Sequence, residues 1–214
     1  MATSASDAFN TCDCAIILGG SRARELAAAR LLAPFAKAII LSSGALTQDE
    51  LCAAVRDAGG QGQCRCDRTA LDTVTNFTSL VAGLVAANVK STAVVTDAAH
   101  YRRAIAVGRI VLGWSGICVH GLRTPSLAIE PSAESIVRVV RDVLRAILWV
   151  FTGLDGTALA ALVHPRRAAD VLAWRSGRPA EDKGAHDEAL ARWLTAALGK
   201  GGGTTQPAPG KAPS

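Results

Sequence analysis

Aromatic side chains are scarce in these 214 residues: 4 Phe, 4 Trp and 1 Tyr, or 4% in all. A chain that reads single strands by stacking bases needs aromatic platforms, and none is evident here. The sequence pI near 9.1 suits a polyanion, but no nucleic-acid recognition motif accompanies it. Charged residues are also few, at 19%, while half of the chain is apolar, which excludes a disordered polar polymer. Long apolar runs are missing. The longest near the C-terminus, residues 146–154, is closed by Arg145 and Asp155 and reaches about half of the ~20 residues that a membrane span requires. Residues 1–11 have neither the basic n-region nor the apolar h-region of a secretory signal, and no arginine of a transit peptide. The expectation is a cytoplasmic chain without a membrane anchor, for which peripheral membrane contact stays open. Internal repeats are absent, and so is the G-x-G-x-x-G of a usual dinucleotide site.

Charge is unevenly placed. Residues 1–100 hold 8 basic and 9 acidic side chains (net −1), and residues 101–214 hold 15 and 9 (net +6). Six cysteines include two C-x-C pairs, Cys12/Cys14 and Cys64/Cys66. Four thiolates suit zinc, but C-x-C is an uncommon spacing for a structural site. Cysteine also serves as a small buried hydrophobe, so reduced thiols and no metal are expected.

What is present is an alternation of short apolar runs and helical patterns. Apolar runs at 15–18, 38–41 and 92–95, with short stretches at 63–66 and 117–120, read as five strands. Helices are expected over 22–32, 47–56, 73–87 and 98–112, with Thr47 as an N-cap and Gly59-Gly60 as a stop. Phe77, Leu80, Val81, Leu84 and Val85 give the third of these its apolar face. Near-continuous apolar strands joined by helices imply a parallel sheet covered on both faces. The fold class is therefore α/β, a Rossmann-like doubly wound parallel sheet of about five strands with a C-terminal helical extension.

A long amphipathic helix should start near Pro131. Ile136, Val140, Val143, Leu144, Ile147, Leu148 and Phe151 mark one side, and Arg138, Arg141 and Arg145 mark the other, which reads as a solvated face. The expected layout is a flexible 1–12, an α/β domain over 13–153, a helical extension over 154–198 with a last helix near 187–198, and a disordered Gly/Pro tail over 199–214.

Ligands of open parallel sheets bind beyond the carboxyl ends of the strands. The first such end offers Gly19, Gly20 and Ser21, the second Ser43 and Gly44, and the third Asp67, Asp72, Thr73 and Asn76. The fourth offers Thr96, Asp97, His100 and Arg103. Glycines let backbone amides approach a ligand, and a helix start favours an anion. His100 and Arg103 share one helical face, the first suited to proton exchange and the second to clamping phosphate or carboxylate. On this reading His100, Asp97 and Arg103 are the catalytic candidates. Gly19, Gly20, Ser21, Ser43, Gly44, Asp72, Thr73, Asn76 and Thr96 are the ligand-binding ones. Asp72 and Thr73 equally suit helix N-caps. No nucleophile elbow is present.

In this order the motifs resemble the YdcF/SanA/ElyC-like family of bacterial proteins, over about residues 13–150. The matching residues are 16–20 (Ile-Ile-Leu-Gly-Gly), 42–44 (Ser-Ser-Gly), Glu50, Asp72-Thr73 with Asn76, and Val95-Thr96-Asp97 with His100, Arg103 and Ala104. The resemblance implies a Rossmann-like sheet with a polar pocket at its strand ends, formed by Gly19, Gly20, Ser43, Gly44, Thr73, Asn76, Thr96, His100 and Arg103. One member looks like an S-adenosylmethionine binder, and others are linked to envelope and lipid-carrier metabolism. Departures are Ala45 for a glycine, Ala70 for a serine, Thr75 for a glutamate, the shorter Asp67, and Asp97 for a serine. The expected function is binding of a small anionic or nucleotide-like ligand, with hydrolase or transferase chemistry on a phosphorylated or envelope-related metabolite. The alternatives are an S-adenosylmethionine-binding protein and an interaction module using the basic C-terminal helices. The oligomeric state is open.

Overall fold

A computed structural model describes residues 12–124, 135–154, 169 and 183–200. Five strands form one sheet: β1 (Cys14–Leu18), β2 (Ala38–Ser42), β3 (Gln63–Asp67), β4 (Ser91–Thr96) and β5 (Cys118–Arg123). The order is β3-β2-β1-β4-β5, and every pairing is parallel. The α/β reading of the sequence is therefore correct. β1 and β2 are buried along their whole length, as strands covered on both faces must be.

Alternate residues of each strand feed two cores. Ala15, Ile17, Ile39, Leu41, Ala93 and Val95 pack under helices α1 (Arg22–Leu32) and α2 (Gln48–Asp57). Cys14, Ile16, Leu18, Ile40 and Val94 pack under α3 (Thr75–Thr78), α4 (Val81–Ala86) and α5 (Ala98–Trp114). Thr47 caps α2 as expected, in a capping box: its hydroxyl accepts from the Glu50 amide at 3.3 Å, and Glu50 accepts from the Thr47 amide at 2.9 Å. Arg22, 2.6 Å away, and that Thr47 amide bring the Glu50 carboxyl down to about 2. Glu50 is thus committed to α2 and to Arg22.

The helix expected over 73–87 is two short pieces, α3 and α4, joined through Ser79-Leu80. Val85, assigned by periodicity to the apolar face, is 48% exposed. The larger difference lies in α6 (Ile136–Thr152), whose Pro131 start falls outside the described residues. Its buried residues are Asp142 and Ala146, and its apolar stripe faces outward. On the arginine side, expected to be solvated, Arg138 and Arg141 are exposed. Arg145 instead turns inward to Asp72, beside the buried Asp142 and Ala146, where the helix meets α5. Helix α7 (Lys183–Ala197) packs on α4, with Leu190 and Leu194 fully buried. A Cβ at Gly83 would sit 2.7 Å from Leu190, so this crossing needs glycine there. The last described helix is thus part of the α/β core, while residues 155–168 and 170–182 of the expected 154–198 extension, and residues 201–214 of the expected 199–214 tail, lie outside the described residues.

Candidate functional site

A cleft of about 760 Å³ opens at the carboxyl ends of β1 and β4, the point where the strand order reverses. Of the expected residues, Gly19, Gly20, Ser21, Asp72, Thr73, Asn76, Thr96, His100 and Arg103 line it. Ser43, Gly44 and Asp97 do not; they lie behind it as supports.

The support from β2 and β3 is dense. Ser43 adopts a left-handed φ of 53°, its amide donates to the Asp67 carbonyl at 2.6 Å, and its hydroxyl donates to the Ala70 carbonyl at 2.5 Å. The turn after β1 rests directly on this one, since a Cβ at Gly19 would lie 2.2 Å from the Ser43 carbonyl oxygen. Ser42 donates to the buried Asn76 side chain at 2.9 Å. Glu25, fully buried on α1, accepts from the amides of Gly20 (2.8 Å), Ala45 (2.8 Å) and Leu46 (3.0 Å). The amides of Gly19, Gly20, Ser43 and Ala45 are therefore bonded inside the protein. Of the amides after Gly19 and Ser43 that could hold an anion, those of Gly20 and Ala45 are taken by the buried Glu25.

The positive charge comes from side chains instead. Arg24, Arg103, Arg138 and Arg141 line the cleft against only Asp72 and Asp142. Arg24 reaches across from α1 to Asp97, and its Nη2 donates to the Gly19 carbonyl at 3.1 Å. Its Nε is buried and has no partner among the described residues. Burial lowers the Arg24 guanidinium from its ordinary value, while neighbouring Glu25 favours its charge. Asp97 has three tasks. It caps α5 by accepting from the His100 amide at 2.8 Å, it receives Arg24, and its Oδ1 lies 2.7 Å from His100 Nδ1.

On the opposite wall, the carboxylate of Asp142 on α6 is almost completely buried. It contacts Arg141 at 2.9 Å, Arg103 at 3.3 Å and Arg145 at 3.7 Å. The hydrogen bond from Arg141 to Asp142 raises the Arg141 value. Arg145 also binds Asp72 at 2.7 Å. Burial works against the Asp72 charge, but the Thr75 amide and Arg145 outweigh it and hold the carboxyl below its ordinary value. Asp72 accepts from the Val74 and Thr75 amides at 3.1 and 3.0 Å, the capping arrangement that the sequence also allowed.

Sequence reasoning missed Arg24, Glu25, Arg138, Arg141 and Asp142. For Arg24 and Glu25 a signal existed, because both sit in the first turns of a helix that starts at a strand end. The α6 residues gave none, since their side of the helix reads as a solvated face.

Among the described residues no group of three or more His, Cys, Asp or Glu side chains is placed to hold a metal ion. Cys14 and Cys64 are buried, and Cys12 and Cys66 are half-buried. Burial pushes the Cys14 and Cys64 thiols up to about 12. No helix among the described residues is long and apolar enough to cross a membrane. Comparison with family models, curated proteins and solved structures returns no match.

Proposed function

We propose that the cleft binds a small anionic, phosphate-bearing ligand and that His100 transfers a proton there. Four arginines round one cleft, with Arg145 behind them, against the three aspartates Asp72, Asp97 and Asp142, carry this reading. Guanidinium groups present paired donors that match phosphate oxygens, and Arg24 brings a buried Nε that no described residue satisfies. The Asp97 carboxylate at Nδ1 orients the His100 ring, as the orienting partner of a general base does. In hydrolysis of a phosphoester, Nε2 takes the proton of water as its oxygen bonds to phosphorus; the ester P–O bond breaks, and the leaving oxygen takes that proton back from the imidazolium. Arg24 and Arg103 offset the charge that develops on the phosphoryl oxygens. Asn76 and Thr73, on the cleft wall, orient the ligand.

The YdcF-like resemblance supports the strand-end location of this site, and an envelope-related substrate rests on that resemblance alone. S-adenosylmethionine is the weaker reading, because a sulfonium cation gains nothing from four arginines. Calorimetric titration with inorganic pyrophosphate, a nucleoside triphosphate and S-adenosylmethionine tests both. Heat from the phosphates that Arg103→Ala abolishes supports the proposal; heat from S-adenosylmethionine alone overturns it.

A further inference from the structure

Helix α6 is mounted the opposite way from most amphipathic helices. Its polar side, through Asp142, Arg145 and Ala146, faces its own domain. Its apolar side is open. Val137, Val140, Leu144, Ile147 and Phe151 succeed one another at intervals of three, four, three and four, and each is between 39% and 76% exposed. That alternation is the seam by which one helix packs on another. A lipid surface rewards apolar area and places no demand on the interval.

The rest of the patch fits the same occupant. Ile136, Leu148 and Leu154 widen the stripe, and Trp114 at the end of α5 is 66% exposed, with its ring 5.9 Å from that of Phe151. Together these residues expose apolar surface on the order of 1,000 Å², above the roughly 800 Å² per partner of a standard interface and well beyond the usual largest patch of a monomer. Beside the ridge lies a groove of about 370 Å³ between α5 and α6, lined by Ile110, Gly113, Trp114, Ile147, Val150 and Phe151 with Arg109 at its edge. One surface therefore holds both a ridge of knobs and a groove to receive them, as a two-fold interface requires of a self-complementary patch.

We propose that this face is the interface of a homodimer, in which the α5–α6 pairs of two copies close into a four-helix layer. An antiparallel seam centred between Leu144 and Ile147 sets Val140 against Phe151 of the partner subunit and Leu144 against Ile147 of the partner subunit. The smaller Val140 then meets the larger Phe151, and Leu144 and Ile147 meet as equals in size. The polar side of α6 remains on its own cleft, so each copy keeps a complete site with Arg138, Arg141 and Asp142.

Sedimentation velocity and light scattering on the full 214-residue chain test the proposal at micromolar concentration and above. The expected mass is twice 22.1 kDa. Leu144→Glu and, separately, Phe151→Lys should raise the dimer dissociation constant at least ~100-fold while keeping the helical circular-dichroism spectrum, because neither side chain is in the monomer core. Phe151→Lys is the reserve should Leu144→Glu fail to fold. A wild-type chain that is monomeric throughout overturns the proposal. Vesicle binding by that monomer, or cross-links from α6 to residues 155–182 of the same chain, would then identify the true occupant. A dimer that neither variant weakens overturns it equally.

Discussion

The strand ends of this protein divide into two neighbourhoods that look alike in sequence and differ in use. At the ends of β2 and β3, Ser43, Asp67 and the buried Glu25 of α1 spend their polar groups on one another and on nearby backbone. At the ends of β1 and β4, Arg24, His100, Arg103 and the α6 residues assemble around open space. The first neighbourhood is closed and braces the turns. The second carries more charge than its internal pairing neutralises. Polar residues at a strand end thus mark a site only where their partners are not already inside the protein.

The largest effect is expected where bracing is removed. Glu25→Ala strips three amides of their acceptor, each leaving a cost of about 1–3 kcal/mol, so stability should fall by several kcal/mol in urea unfolding. A stable Glu25→Ala protein with reduced phosphate affinity would blur the division between the two neighbourhoods. His100→Ala, in the open neighbourhood, should behave in the opposite way. Its ring is half-exposed, so the melting temperature should barely move, while any phosphoester turnover drops about 10²-fold or more in steady-state assays. Arg138→Ala should be milder. Arg138 has no ion pair among the described residues, so its loss should weaken pyrophosphate binding about tenfold, by roughly 1.4 kcal/mol, with an unchanged unfolding midpoint.

The smallest effect is a pH dependence in the closed neighbourhood. His186 on α7 places Nε2 2.9 Å from the buried carboxylate of Asp67. That contact raises His186 above 6.5 against the opposing effect of burial. Its stabilisation is complete below 6.5 and fades as pH rises through the higher folded value. Thermal melts on either side of that range should show wild type losing stability toward alkaline pH, and His186→Gln should flatten this slope. Asp72, held low, acts on the other flank: its contribution is present above 3.8 and is lost as pH falls through its depressed folded value.

The sheet was legible because all five strands are apolar runs or alternations closed by turn residues, and the site's location follows from that order. Nine of the twelve expected site residues line the cleft for the same reason. The remainder depends on contacts that no local pattern carries. Arg24 meets Asp97, and Asp72 meets Arg145, each across 73 positions. The α6 stripe has the periodicity of a buried face, and period alone does not tell which side meets the domain. Here the ion pairs of Asp142 and Arg145 decide that question, and their partners lie on other elements.

The seating of Leu190 on Gly83 has a consequence for the order in which the protein is made. The buried residues of one core are all present once β4 has been synthesised, because they lie on α1, α2 and neighbouring chain within the first 96 residues, and β5 adds only the partly buried Leu122. The other waits for Leu190 and Leu194, near the end of the described chain. From residue 96 to residue 194 a growing chain therefore carries one finished face and one unfinished, sticky face. The interval between residue 96 and residue 194 is when it most needs a chaperone.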